Sequence, residues 1–310
     1  MKTLYPFIIA LILFQSRIAL AQNQYNISQY MLYQGFINPA AISTEKVFNA
    51  AIFHRSQWVG VSGAPTTQGL FLNMPFKDAK NTIGLLVLHD KIGVNNSTQL
   101  SLAYAYKLKL TPKIDWSFGV NTFVNIVQSN YNSLESDAVY DPSFANNTAS
   151  VVMPNFKFGT YLRGARYYAG FAIPNLLENK IVGAGRGETK FNGRNLHYYL
   201  QGGYLFSINT KNAIGVSTLI KNASGAPMQI DLNAQYIYNE KLGLGVSYRT
   251  SNELVGMVNY QISPMFKLGY AYDYNMSKLS RYTTGSHEIM LIFNMAKNPA
   301  ASVGFFPARF

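Results

Sequence analysis

From about Lys46 to Asn294 apolar and polar residues alternate with a period of two, and after Gln22 no stretch keeps the 3.6-residue period of a helix. In the segment Phe266 to Asn275 one face reads Phe266, Leu268, Tyr270, Tyr272, Tyr274 and the other Lys267, Gly269, Ala271, Asp273, Asn275. Leu100, Leu102, Tyr104, Tyr106 and Leu108 stand in the same way against Ser101, Ala103, Ala105, Lys107 and Lys109. The split returns with Leu242, Leu244, Val246 and Tyr248 against Gly243, Gly245, Ser247 and Arg249. Successive side chains of a strand point to opposite sides, so each segment has one apolar flank and one that is small or polar. In a sandwich the apolar flank meets a second sheet; in a membrane barrel it meets lipid while the other flank lines the interior.

Alternation does not choose between these architectures, but connection lengths do. The pattern predicts fourteen strands, over residues 46–57, 66–76, 82–90, 97–110, 113–129, 151–163, 167–177, 196–208, 213–220, 229–238, 242–249, 254–262, 266–274 and 287–294. The number is even, as a bacterial barrel requires. Connections after the even-numbered strands are short, whereas those after the fifth, seventh and thirteenth run Asn130 to Ser150, Glu178 to Asn195 and Asn275 to Ser286. Short turns on the periplasmic side and longer loops outside are the asymmetry of outer-membrane barrels. The short connection after the eleventh strand breaks the rule. The expected architecture is thus all-β: a transmembrane antiparallel barrel of about fourteen strands with both chain ends on the periplasmic side. Closure pairs the first strand with the last and leaves no exposed edge. Tyr106, Tyr248, Tyr260 and Tyr274, near strand ends, suit aromatic belts where hydrocarbon meets headgroups, core filling being the other use of such rings.

Composition agrees with a lipid-covered surface. Only 13% of residues are charged, where a water-soluble domain carries about 25%. The formal charge is +12, with Lys2 and Arg17 near the start, which suits acidic lipopolysaccharide or an acidic protein partner. No dense Lys/Arg run of the kind found in a nucleic-acid arm occurs, so no nucleic-acid partner is expected. The absence of cysteine excludes a lipoprotein start, thiolate metal sites and disulfides.

The chain is expected to divide into four parts. Residues 1–21 read as a signal peptide for export: Lys2, an apolar run from Leu4 to Phe14, and Ala19-Leu20-Ala21 before the cut. That run is short of the roughly 20 residues a membrane-spanning helix needs. Residues 22–45, with Tyr25, Tyr30, Met31, Tyr33 and Phe36, read as an ordered periplasmic or lumenal segment. Residues 46–294 form the barrel and residues 295–310 a periplasmic tail.

Reactive residues are sparse. His54 and Ser56 point to one side of the first strand, as in a membrane-embedded Ser–His hydrolase, but no orienting acid or amide is evident in the sequence. His89 with Asp90, His197, and His287 with Glu288 lack metal-site spacing. Gly183-Ala184-Gly185-Arg186-Gly187 has neither the preceding strand nor the following helix of a phosphate cradle and reads as an external loop. No catalytic, cofactor or metal site is expected. Lys107, Lys109, Asp231, Arg249, Lys267 and Asp273 fall on the interior flank, where mixed signs fit salt bridges filling a narrow lumen, or selection of a solute. Trp58 and Pro65 flank the first external loop, and Asp141, Pro142 and Phe144 lie in the longest one. A large aromatic beside glycines is a plausible anchor for a protein partner, although a Trp at that level also fits the lipid boundary.

An ordered series of segments resembles one family. Gln29-Tyr30-Met31, Ile37-Asn38-Pro39-Ala40, Arg55-Ser56-Gln57-Trp58-Val59-Gly60 and Gly63-Ala64-Pro65-Thr66 are similar to the opening of PorP/SprF proteins. Asp90-Lys91-Ile92-Gly93, Asp141-Pro142-Ser143-Phe144, Pro174-Asn175-Leu176-Leu177, His197-Tyr198-Tyr199-Leu200 and Gly285-Ser286-His287-Glu288-Ile289 continue the likeness, while Ala41-Ile42 departs from it. The resemblance implies a Bacteroidetes outer-membrane protein of the type IX secretion system. Such a protein would serve secretion or surface display of a large adhesin-like, sometimes gliding-related, surface protein. Its partners would be that protein's C-terminal sorting domain and secretion components, with outer-membrane lipid around it. Asn38, Pro39, Gln57 and Asp90, as landmark positions, join Trp58, Pro65, Asp141, Pro142 and Phe144 as candidate partner-binding residues. The alternative on the same fold is a porin or a hydrophobic-solute transporter.

Overall fold

The computed structural model describes residues 26–130, 150–182, 186–223 and 226–295. Its strands are β1 (Asn49–Ser56), β2 (Thr66–Pro75), β3 (Asn81–Ile92), β4 (Asn95–Thr111), β5 (Ile114–Ser129), β6 (Val151–Arg163), β7 (Tyr167–Ile173) and β8 (Leu177–Val182). They continue as β9 (Arg186–Phe191), β10 (Tyr198–Ser207), β11 (Asn212–Asn222), β12 (Gln229–Tyr238), β13 (Leu242–Arg249), β14 (Glu253–Gln261), β15 (Phe266–Asn275) and β16 (Ser286–Asn294). Fourteen of them close into one antiparallel barrel, each pairing with its neighbours in sequence except that β7 pairs with β10, and β1 closing on β16.

The alternation dictates which flank faces which solvent. Leu100, Leu102, Tyr104, Tyr106 and Leu108 of β4 are exposed on the outside, while Ser101, Ala103, Ala105 and Lys107 are buried inside. The same holds on β13, where Leu244, Val246 and Tyr248 point out and Gly243, Ser247 and Arg249 point in. Tyr106, Tyr248, Tyr260 and Tyr274 are all exposed, the first and third toward the short-turn end and the other two toward the loop end. Lys109 shares the inward flank with Lys107, as expected, and is exposed because it stands at the turn-end mouth of β4.

Two departures concern the long connection after β7. That strand ends at Ile173 rather than continuing to residue 177, and the connection holds a separate hairpin, β8 with β9. Asn155 fastens it to the inner flank of β6, donating from Nδ2 to the Leu177 carbonyl at 2.8 Å and accepting from the Leu177 N–H at 2.9 Å. The hairpin therefore leans inward over the loop end, with Val151 and Met153 buried on the flank it covers.

Residues 26–45 occupy the lumen, and Phe48 then packs on Phe293 where β1 meets β16. Three short 3-10 turns, Tyr30–Leu32, Gln34–Phe36 and Pro39–Thr44, replace any longer helix. The third is started by Asn38, whose side chain accepts from the Ala40 N–H at 2.9 Å, with Pro39 at the first helical position. Ser28 and Gln29 contact Glu288 and Asp273 near the loop ends of β16 and β15, whereas Thr44 meets Arg163 at the turn end of β6. The segment thus runs from the loop side to the turn side before entering β1. Its described beginning lies toward the loop side, inside the barrel, so of the periplasmic and lumenal placements expected for this segment the described residues take the lumenal one. Phe36 packs edge-on to Phe53 and Phe71, and Tyr33 joins them, forming the apolar centre of the lumen.

Candidate functional site

What fills a barrel decides what the barrel can do, and here both ends of the lumenal segment are held by the wall. At the loop side an inward row of charges crosses successive strands. Asp231, Arg249 and Glu253 stand directly opposite one another on β12, β13 and β14, and Arg55 stands opposite Glu288 on β1 and β16. Arg249 Nε lies 3.2 Å from Asp231 and its Nη1 pairs closely with Glu253 and sits 3.8 Å from Asp273. Arg55 pairs with Asp273 at 2.7 Å and with Glu288 at 3.3 Å, and all three side chains are at most 2% exposed. Buried ions are tolerated only when paired and hydrogen-bonded. The lumenal segment supplies part of that satisfaction: Ser28 and Gln29 donate their N–H groups to Glu288 at 2.8 and 2.9 Å, and Ser28 Oγ donates to Asp273 at 2.6 Å while accepting from Arg55 at 3.0 Å.

At the turn side the segment is seated by shape. Asn38 Nδ2 donates to the Thr160 and Phe171 carbonyls at 2.9 and 3.1 Å, and Lys157 Nζ donates to the Phe36 carbonyl at 3.0 Å. The backbone comes so close because the facing wall positions are glycines. A Cβ on Gly119 would lie 2.3 Å from Ala40 N, and one on Gly159 would lie 2.0 Å from Asn38 Oδ1. Ser43 bonds Ser117 at 2.7 Å, Lys107 donates to the Ser43 carbonyl at 3.3 Å and Arg163 to the Thr44 carbonyl at 3.1 Å. Glu45, just beyond, has its carboxyl pushed up to about 7 by burial, against the pull of Arg163 and Lys267.

The candidate partner-binding residues separate into groups. Asn38 and Pro39 are buried in the lumen and spent on internal contacts. Gln57, Trp58 and Pro65 come together at the loop end: the Gln57 N–H donates to the Pro65 carbonyl at 2.9 Å, and Pro65 is buried. Trp58, expected as an exposed anchor, is half-buried with a positive φ of 49°, its N–H donating to Ser286 Oγ at 3.1 Å. The next residue, Val59, exchanges backbone hydrogen bonds with Gly285 and Thr284, so the 57–65 loop is tied to the 276–285 loop, and Gly63 to Gly93 ties it to the β3–β4 turn. Gly285, with φ of 105°, is needed for that path. Val59 and Tyr282 remain exposed on this cap. Asp90 lies one hairpin away, its carboxylate accepting from Thr67 Oγ1 at 2.5 Å. Asp141, Pro142 and Phe144 lie outside the described residues, as do the leader, residues 183–185 of the glycine-rich stretch and residues 296–310.

The Ser–His pair has a neighbour that the sequence did not reveal, an amide N–H donor that would place the imidazole proton on Nε2, facing Ser56, the opposite of what a base needs. His54 Nε2 is 3.0 Å from Ser56 Oγ, and its Nδ1 is 3.3 Å from Gln68 Nε2 on the neighbouring strand, all three on the outer flank. Acyl transfer also needs donors for an oxyanion. The neighbouring N–H groups of Gln57, Trp58 and Val59 are engaged with Pro65, Ser286 and Gly285. Among the described residues no group of three or more His, Cys, Asp or Glu side chains is placed to hold a metal ion.

Comparison with known proteins gives the family and the fold. The family model for the type IX secretion system membrane protein PorP/SprF matches residues 19–293. No curated protein matches the chain. Among solved structures, the monoaromatic hydrocarbon channel CymD is 11% identical with a TM-score of 0.50, the match covering 89% of this chain and 95% of that one. The Acinetobacter baumannii outer membrane protein Omp33 is 12% identical with a TM-score of 0.48, covering 80% and 99%. The Pseudomonas putida toluene transporter TodX is 10% identical with a TM-score of 0.49, covering 89% and 95%. At such identity the likeness to CymD speaks for the fold alone, a closed barrel.

Proposed function

Because the chain belongs to the PorP/SprF family of type IX secretion system membrane proteins, we propose that it is a non-enzymatic docking barrel of the outer membrane. In this reading it receives the C-terminal sorting domain of a large adhesin-like surface protein, in some systems one that serves gliding, together with secretion components. The observation that carries it is the filled lumen: residues 26–45 run through the barrel and are fastened at both sides by buried contacts. A barrel occupied by its own chain offers surfaces in place of a passage. The tied loops around Val59 and Tyr282, with the hairpin leaning over the loop end, present an organised outer face for such a partner.

The test compares a strain lacking the protein with one carrying it. Loss of one large surface protein from the cell surface on deletion, and its restoration by the intact chain, supports docking. The purified barrel in a planar bilayer should pass little current. Unchanged surface display together with sustained conductance would overturn the reading and favour a porin or solute transporter. Lipid hydrolysis that disappears in Ser56→Ala would overturn its non-enzymatic part.

A further inference from the structure

The positive charge of this chain is concentrated at the turn end, where an outer-membrane barrel meets the periplasm. Five of the six short turns carry an exposed cation at the tip: Lys77 and Lys80, Lys113, Arg166, Lys211 and Lys241. The exposed acids there are Asp78 and Glu240. Asp78 accepts from the Lys80 and Asn81 N–H groups at 3.0 and 3.2 Å, bonds that hold its carboxyl below the ordinary range, so it stays ionised and offsets one of the two lysines of its turn. Among the described residues, the long loop-side connection after β7 instead mixes Glu178 and Glu188 with its cations.

Lipid headgroups do not account for the ring. Side chains that point outward at this level are Phe76, Leu110, Trp116, Tyr238 and Ile262, all exposed and apolar or aromatic, as the lipid boundary asks. The cations sit on the turn tips, while on the inward flank near the mouth Asp115 stands opposite both Lys109 and Arg163 and leaves one net positive charge there. The tip cations surround the aqueous opening beneath the barrel. Anionic lipopolysaccharide would call for them at the opposite end, in the outer leaflet.

We infer that the ring of turn-tip cations is a docking face for an acidic protein surface on the periplasmic side. The inference rests on the reading above, in which secretion components are partners, and it assigns one of them a side and a charge. Complementary charge of this kind raises association rates and fixes orientation, with an affinity that falls as salt rises. No part of the lumenal segment is needed for it.

The test uses the full-length barrel in zwitterionic phosphatidylcholine nanodiscs and a fluorescein-labelled oligo-glutamate peptide as probe, read by anisotropy. One variant reverses the turn tips (Lys77, Lys113, Arg166, Lys211 and Lys241, each to Glu). The other reverses five loop-side cations (Lys91, Lys180, Lys190, Lys278 and Arg281, each to Glu), giving the same net charge. Binding should weaken by about tenfold or more in the first and by about twofold or less in the second. Equal weakening overturns the proposal, because it would mean attraction to net charge alone. Capture on phosphatidylglycerol vesicles that falls in the turn-tip variant, with peptide binding unchanged, also overturns it in favour of lipid. If deletion of the protein leaves surface display intact, the docking reading fails whatever the probe does. If display fails on deletion but the turn-tip variant restores it and binds the probe normally, only the ring proposal fails.

Discussion

The two ends of the lumenal segment are held by different physics. Its loop-side end sits in a cluster of buried ions, Arg55, Asp273 and Glu288, whose bonds to Ser28 and Gln29 are strong only while every member is present. Its turn-side end sits on Gly119 and Gly159, where the wall simply has no side chain to push it away. An ionic latch can be loosened by removing a single charge, whereas a steric seat is disturbed most when atoms are added. The pairing lets one end be weakened while the other keeps its place.

The largest effect should come from Arg55→Met, which leaves Glu288 buried without its cation and Asp273 with only the more distant Arg249, 3.8 Å away. A loss of about 3–5 kcal/mol is expected, read as a lower unfolding midpoint in detergent with denaturant. Replacing Arg55, Asp273 and Glu288 together by Met, Leu and Met should recover most of it, since the penalty lies in the unpaired charges. Gly159→Val attacks the other end. It should cost about 3 kcal/mol through overpacking and raise the conductance of the barrel as the segment is displaced. Gly256→Ala, with open space around it, serves as the neutral control. A quiet Gly159→Val would show that the seat tolerates far more than its distances allow.

Asn38→Ala removes the cap on Ala40 and both bonds to the wall carbonyls. About 1–3 kcal/mol should be lost, with less conductance than Gly159→Val because no atom intrudes. The smallest effect is pH-dependent. Glu45 has its carboxyl raised to about 7 when folded, against an ordinary 4.5. Its favourable contribution is therefore complete below about pH 4.5 and disappears as pH rises through about 7. Stability should fall across that window in the intact chain and stay flatter in Glu45→Gln, by about 1 kcal/mol since the group is partly exposed. A fall of equal depth in the variant would assign the dependence elsewhere.

Much of the wall was legible from the residues because lipid imposes a rule on each strand separately: Leu102 must point out wherever β4 stands. The family, too, followed from ordered short segments. The lumenal segment was readable as ordered, from its aromatics, but not in direction, because 3-10 turns leave no periodicity to follow. The latch joins residues more than 200 positions apart, such as Arg55 and Asp273, and only the closing register of β1 on β16 brings them together. Gln68 was invisible as a partner of His54 for the same reason, since its place depends on the β1–β2 pairing. The β8–β9 hairpin escaped because Glu178-Asn179-Lys180 and Arg186-Gly187-Glu188 carry no lipid-facing flank. The glycine seat could be suspected from Gly119 and Gly159 on inward positions, but what they face is decided by a segment some 80 to 120 residues earlier.

The antiparallel seam between β1 and β16 carries one further implication, for assembly. The polypeptide ahead of β1 is synthesised first, yet it ends up enclosed by a cylinder whose last join is made by the final strand. Ser28 must reach Glu288 and Asp273 on strands that emerge at the very end of translation. Either the leading stretch is cradled by a half-built, open curl of sheet and sealed in when the seam zips, or it must be fed upward through a finished bore against its own bulky rings. Tyr33 and Phe36 wedged against Phe53 and Phe71 make the first route the easier one. Maturation is then a wrapping event, in which the cylinder is built around its own stopper.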